Sequence, residues 1–225
     1  MFKTEMHCHS KNVSVCAQAD AELIIEKYLE AGYTTIVSTE HINSGTFSSM
    51  EEISWQDKVT HYMNGYNKLV EAAKGRIHIL FGAEIAVAKT APNDFLIYGI
   101  TEEFLRSIDD PRQLKKVKEL SELVRANNMM IFQAHPFRVG MTITAPDLLD
   151  GIEIANLSPW HESYNDIAQI WAKRNNLIGI TGTDFHNPDH TPQGGIMTDY
   201  PITDNETLLK TLREGNFKLI GVPEA

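Results

Sequence analysis

Thr34-Thr35-Ile36-Val37-Ser38, followed at once by Thr39-Glu40-His41, decides how the chain reads. Residues 34–37 are all β-branched, the composition of a strand. That strand ends on a carboxylate and an imidazole. The same figure recurs along the 225 residues. A strand expected over 2–6 runs into His7-Cys8-His9, and one over 77–80 ends near Gly82 and Glu84. A strand over 129–132 leads to His135-Pro136, and one over 177–181 leads to Asp184-Phe185-His186. Further strands are expected over 93–100, 151–155 and 217–220.

Helical patterns fill the intervals. Asp20 suits an N-cap, with Glu22 in the first turn and Gly32 just past the end. Leu23, Ile24 and Tyr28 fall at helical spacing, with Lys27 interrupting the stripe. Residues 51–74 read as a helix with Trp55, Val59, Tyr62, Met63, Tyr66, Leu69 and Val70 on one side. Residues 111–127 read as another, Pro111 being suited to its first turn. Helices over 161–175 and 205–214 complete the set. Repeated strand–helix alternation predicts an α/β fold with a largely parallel sheet, and about seven units favour a barrel over a short open sheet. No repeat, linker or low-complexity stretch divides the chain, so one domain over 1–225 is expected.

In an α/β barrel the C-terminal strand ends converge on one face, where active sites are built. His7, His9, Glu40, His41, Glu84, His135, Asp184 and His186 all follow such ends. In an extended segment residues i and i+2 point to one side, so His7 and His9 can bind one ion or neighbouring ions. Asp184 and His186 repeat that geometry. Imidazole with carboxylate suits zinc, manganese or iron(II) better than calcium or magnesium. Glu84 has two oxygens with which to bridge two ions, as two-metal sites require. One His-x-His pair occurs readily by chance; the whole set at strand ends does not. His61 and His78 read as surface or core residues and His190 as a loop residue. Cys8, facing away from His7 and His9, reads as a small buried hydrophobe. Cys16 is open between a core residue and a thiolate near the metals.

His7-Cys8-His9, Ser38-Thr39-Glu40-His41, Gly82-Ala83-Glu84, Ala134-His135-Pro136 and Gly182-Thr183-Asp184-Phe185-His186 resemble, in order and over nearly the whole chain, the motifs of the polymerase and histidinol phosphatase (PHP) family. The resemblance implies a distorted (β/α)7 barrel, TIM-barrel-like, and phosphoesterase chemistry at a two- or three-metal site of Zn, Mn or Fe. It implies that His7, His9 and Asp184 hold a first ion and that Glu84 bridges to a second with His135. His41 and His186 would hold a third. Three positions depart from the family pattern. No acidic residue or His stands near Ser14-Val15-Cys16, so the third site loses a ligand or uses Cys16. Asp94 stands where the family often has a second-metal His and can itself coordinate metal, as an eighth ligand, and Glu40 stands where Asp is common. Glu40 could then orient a ligand by a hydrogen bond.

The expected reaction is hydrolysis of a small phosphate ester by a metal-bound hydroxide, with Glu84 in the catalytic centre. Arg138, just after His135-Pro136-Phe137, is the candidate phosphate-binding residue, since a guanidinium matches phosphate oxygens. A surface ion pair is its alternative. Lys11 could reach the mouth of the site, but a solvated loop lysine is the default reading. His161 beside Trp160, and Glu153 and Asn156 after the strand at 151–155, are candidates for contact with substrate or ligands. The alternatives are an amidohydrolase-like enzyme acting on a C–N or C–O bond and a non-catalytic metal-binding module. The former usually carries a lysine at a strand end, and none stands at one here. The net charge of −10 disfavours a nucleic-acid partner. Two cysteines indicate no disulfide framework. No apolar run approaches a membrane span, and residues 1–5 lack the regions of a secretory leader. A cytoplasmic protein is expected. Oligomeric state is not legible.

Overall fold

The computed structural model describes residues 1–87 and 93–222. Among them run ten strands: β1 (Phe2–Cys8), β2 (Tyr33–Ser38), β3 (His41–Ile42), β4 (His78–Ala86), β5 (Asp94–Tyr98), β6 (Met130–Gln133), β7 (Gly151–Asn156), β8 (Ile178–Gly182), β9 (Ile196–Thr198) and β10 (Lys218–Leu219). The six helices are α1 (Ala21–Glu30), α2 (Trp55–Ala73), α3 (Glu102–Ser107), α4 (Val117–Ala126), α5 (Asn165–Asn175) and α6 (Asn205–Glu214).

Seven strands form the wall in the order β1-β2-β4-β5-β6-β7-β8. The β1–β2, β2–β4, β6–β7 and β7–β8 pairs are parallel, as alternation requires. Strand β5 is antiparallel to both β4 and β6, which is the distortion. The wall meets itself where Cys8 bridges Phe185: the His9 amide donates to the Phe185 carbonyl (2.9 Å) and the Phe185 amide to the His7 carbonyl (3.3 Å). Lower down, β9 lies antiparallel along Phe2–Thr4 of β1, and the Gly195 amide donates to the Thr181 hydroxyl (2.8 Å). The result is a distorted, TIM-like barrel.

Met6, Val37, Leu80, Leu96, Phe132 and Ile180, from six different strands, cluster with Leu208, Leu209 and Leu212 of α6. They fill the barrel interior, and α6 closes the end away from the strand termini discussed below. A second cluster lies between the wall and α2 to α5, and a third packs α1 against β1 and β2. Cys8 belongs to the third and is fully buried, in the apolar role its position predicts. No helix among the described residues is long and apolar enough to cross a membrane.

Several boundaries differ from expectation, each for a local reason. Helix α1 starts as predicted, with the Asp20 carboxylate accepting from the Leu23 amide. Helix α2 begins only at Trp55, because the Ser54 hydroxyl caps the Asp57 amide, and Val70 faces solvent rather than the core. The helix expected over 111–127 is two elements. Asp110 caps a single 3-10 turn at Pro111–Gln113. The chain then extends, and Glu119 reaches back to the Lys115 and Lys116 amides to start α4 anew. The helix expected from 161 starts at Asn165, whose side chain instead clamps both backbone groups of Asn156. Helix α3 and strands β3 and β9 went unpredicted; the last two are too short for a periodic signal.

Candidate metal centre

Each candidate arrives at the barrel mouth by a different local device. Strand β1 is bulged between Glu5 and Cys8, and the Glu5 carboxylate accepts the amides of Met6 and His7 (2.9 Å each). That irregularity sets His7 and His9 on the interior side. His41 pairs in register with Glu84 through the short β3–β4 ladder. Because β5 runs backwards, its first residue, Asp94, opens at the mouth rather than the base. His135 and Asp184 follow β6 and β8 with left-handed backbones, φ +29° and +52°. Non-glycine residues rarely adopt such angles, and they concentrate at functional sites.

The structure brings together all eight predicted ligands. Glu84 is the hub. Its Oε2 lies 3.3 Å from His7 Nε2, 3.2 Å from His9 Nε2 and 3.0 Å from His41 Nδ1, and its Oε1 lies 3.2 Å from His135 Nε2. Asp184 Oδ1 lies 3.4 Å from His7 Nε2, 3.6 Å from His9 Nε2 and 3.2 Å from His186 Nδ1. Among the described residues, four sets of three offer ligand atoms within 4.8 Å of one another: His7, His9 and Asp184; His7, Glu84 and His135; His41, Glu84 and Asp94; and His9, His41 and His186.

His7 Nε2, His9 Nε2, His41 Nδ1 and Glu84 Oε2 are buried without a hydrogen-bond partner, although they lie close together. Burying a polar atom unpaired is costly. Atoms that crowd one space without bonding each other fit divalent cations, so the donor set suits the group that the sequence implies.

The charges agree. Burial would raise the Glu84 carboxyl, but His7 and His41 hold it well below the usual carboxylate range. Burial likewise opposes ionisation of Asp184, and His7 and His186 outweigh it. Burial, then His186 and His41, press His9 well down, toward the neutral imidazole a metal needs. Burial and the Glu84 charge push Asp94 up to about 6.

Around these groups lies a supporting layer. Glu153 on β7, fully walled in, holds His7 Nδ1 at 2.9 Å and accepts the His135 amide (2.9 Å) and the Asn156 side-chain amide (3.0 Å). The Ser14 hydroxyl links Glu40 Oε2 (2.6 Å), His9 Nδ1 (3.3 Å) and the His41 amide (3.0 Å). Glu40 thus reaches the ligands through Ser14. Sequence reasoning marked Glu40 and Glu153 but missed Ser14 and Glu5. Glu5 stands at i−2 from His7, a signal that was available; Ser14 carries none.

A cavity of about 260 Å³ opens above the cluster, lined among others by Cys16, Arg138, Ser158, Trp160, His161 and His190. Arg138 combines both of its expected readings. Its Nη2 donates to Asp184 Oδ2 (2.7 Å) and Asn156 Oδ1 (3.0 Å), while its buried Nε has no partner. His190 is more than a loop residue: it is buried against Trp160 and Phe185 and accepts the His186 amide. Cys16 is exposed at the cavity edge; burial raises its thiol, but His186 and His41 bring it down to about 6. Lys11 turns away to Asp20 (3.0 Å), and His78 is exposed.

No protein-family model and no curated protein matches the sequence. Solved structures do match. A two-domain protein from Bacteroides vulgatus, containing a predicted PHP-like metal-dependent phosphoesterase, superposes with a TM-score of 0.66 at 18% identity over 97% of this chain. The chain spans 64% of that protein's length. A lesion-specific endonuclease from Pyrococcus furiosus gives 0.64 at 12% identity, over 97% of this chain and 57% of that one. An amidohydrolase from Chromobacterium violaceum, solved with sulfate and no metal, gives 0.54 at 15%, over 96% and 98%. At these identities the likeness is one of fold. The chain folds as a PHP-like metal-dependent phosphoesterase domain does.

Proposed function

We propose that residues 1–225 form one PHP-type hydrolase domain that cleaves a small phosphate ester at a centre of two or three Zn, Mn or Fe ions. The observation that carries this reading is the set of buried, unpartnered ligand atoms around Glu84. His7, His9 and Asp184 would hold one ion, Glu84 and His135 a second with Asp94 beside them, and His41 and His186 a third. When bound, divalent ions supply Lewis acidity and acidify water.

The remaining work falls to the chain. Glu153 fixes the tautomer of His7, keeping Nε2 toward Glu84 and Asp184. Arg138, anchored by Asp184 and Asn156, lines the cavity, where its guanidinium would donate to a phosphate oxygen. The cavity is small and the net charge is −10, which favours a compact substrate over a polyanionic duplex. Both cysteines are free thiols, which suits a reducing compartment such as the cytoplasm.

The test is turnover by protein loaded in turn with Mn²⁺, Zn²⁺ and Fe²⁺. The panel pairs phosphomonoesters and phosphodiesters with amides, lactones and a lesion-bearing duplex. Metal-dependent release of phosphate from small esters is expected. Turnover of amides or lactones alone would establish the C–N or C–O hydrolase reading instead. Metal binding with no turnover of any phosphoester would overturn the proposal.

A further inference from the structure

We propose that the outer face of α5 is a self-complementary contact, on which a second copy of this chain docks with its own α5 antiparallel. The inference stands apart from the metal centre and its chemistry. Ala168 and Ala172 are the buried residues of α5 and belong to the core between the wall and the helices. At 3.6 residues per turn, Asp166, Ile167, Ile170, Lys173 and Arg174 fall on the opposite side, and all five are exposed. Ile167 is 44% exposed and Ile170 53%. Tyr164, exposed just before the helix, stands three residues ahead of Ile167. Val139, 78% exposed, follows closely on Phe137, whose ring meets that of Trp171 on α5. Single exposed isoleucines are ordinary, but an apolar set rimmed by charges marks a protein contact. The charges name the occupant. Asp166 lies in the first turn of α5 and Lys173 and Arg174 in the last, with Ile170 between them. Among the described residues none of these three charges has an ion-pair partner. A second α5, run antiparallel about a two-fold axis at Ile170, sets Ile170 against its own copy and Asp166 against Arg174 in both directions. A two-fold contact must be complementary to itself, and this order of acid, isoleucine and base is. Parallel helices would set like charges together, at a cost. The 11 residues of α5 span only about 16 Å. The contact therefore belongs to the small, transient class of interfaces, and the pairing depends on concentration.

The test is sedimentation velocity of the whole chain over a concentration series, at low and at high salt. A reversible monomer–dimer equilibrium is expected, weakened by salt because the ion pairs lie at the surface. Ile170→Lys should raise the dimer Kd about tenfold or more. Asp166→Arg and Arg174→Asp should each weaken the dimer to a similar degree when alone. An equimolar mixture of those two variants should dimerise as the wild type does, because each then meets the opposite charge on its neighbour. That rescue separates a broken contact from a damaged fold, which circular dichroism checks in each variant. A wild type that stays monomeric at every concentration would overturn the proposal and leave the face to some other protein. So would a dimer that Ile170→Lys leaves intact, or charge variants that fail to pair when mixed.

Discussion

Glu153 makes no contact with the cavity, yet it grips His7 at 2.9 Å and the His135 amide at 2.9 Å. Partners of this kind tune a ligand's orientation and basicity. Glu153→Gln keeps the shape and removes the charge. We expect metal affinity to fall about 10–100-fold, with little loss of fold, measured by calorimetric titration of zinc. Wild-type affinity in that variant would sink the role. Glu40 offers a pH signature. Burial pushes its carboxyl up to about 6, against the pull of the Ser10 and Ser14 hydroxyls. A raised carboxyl contributes stability that is whole below its unfolded value of 4.5 and is lost as pH rises through about 6. Glu40 should therefore account for roughly 2 kcal/mol of loss across that window, and Glu40→Gln should lose less by that amount, with Asp94 titrating in both proteins. Urea midpoints of the two proteins at pH 4.5 and 6.5 read the difference. Parallel pH dependence would exclude Glu40 as the source. The ligands were legible at this scale because chemistry-bearing residues stood directly after β-branched runs. Ser14 was not, since a serine in a loop carries no pattern until the fold folds it over His9 and His41.

Among the elements, β8 is tightly enclosed at Gly182. A Cβ on Gly182 would stand 2.4 Å from His7 Cβ and 2.5 Å from Glu153 Oε1. Gly182→Ala must therefore push the β1 ligand or its β7 support aside. We expect a stability loss of about 1–3 kcal/mol together with weakened metal binding, by urea unfolding and metal titration. Undiminished binding would show that the His7–Glu153 pair tolerates displacement. The sequence pattern announced most elements and the largely parallel sheet, but not the reversal of β5 or the breaks within the helices. Nothing in 93–100 distinguishes a forward from a reversed strand, because direction is set by what lies on either side of it. The reversal is nonetheless what brings Asp94 to the mouth. The 111–127 pattern looked continuous because the apolar spacing carries across the junction. Only the pull of Glu119 on the Lys115 and Lys116 amides separates the 3-10 turn from α4.

For the molecule as a whole, the mouth is the part least satisfied by protein atoms alone. A ligand that binds the native state alone stabilises it by about 2.7 kcal/mol at a concentration one hundred times its Kd. In a chain of 225 residues that corresponds to a rise in Tm of roughly 5–10 °C. Calorimetry with and without chelator should show this rise with zinc. A Tm indifferent to chelation would mean that the cluster is already at rest without ions. Barrel closure itself was foreseeable from the number of strand–helix units. The seam, where a short β9 stands in between β1 and β8, was not, since it depends on a three-residue strand and one threonine hydroxyl.

That seam gives the barrel a latch. The first and last wall strands touch at Cys8 and Phe185, and the hydrogen bonds there join His7 and His9 to the residue beside Asp184 and His186. An ion shared by these side chains would bolt the two ends of the sheet together from inside. Opening the wall and emptying the centre then become one event. Amide exchange at His9 and Phe185 should slow sharply on metal loading while amides in α6, at the far end, change little, and equal slowing at both ends would show that the seam is not where the ions act.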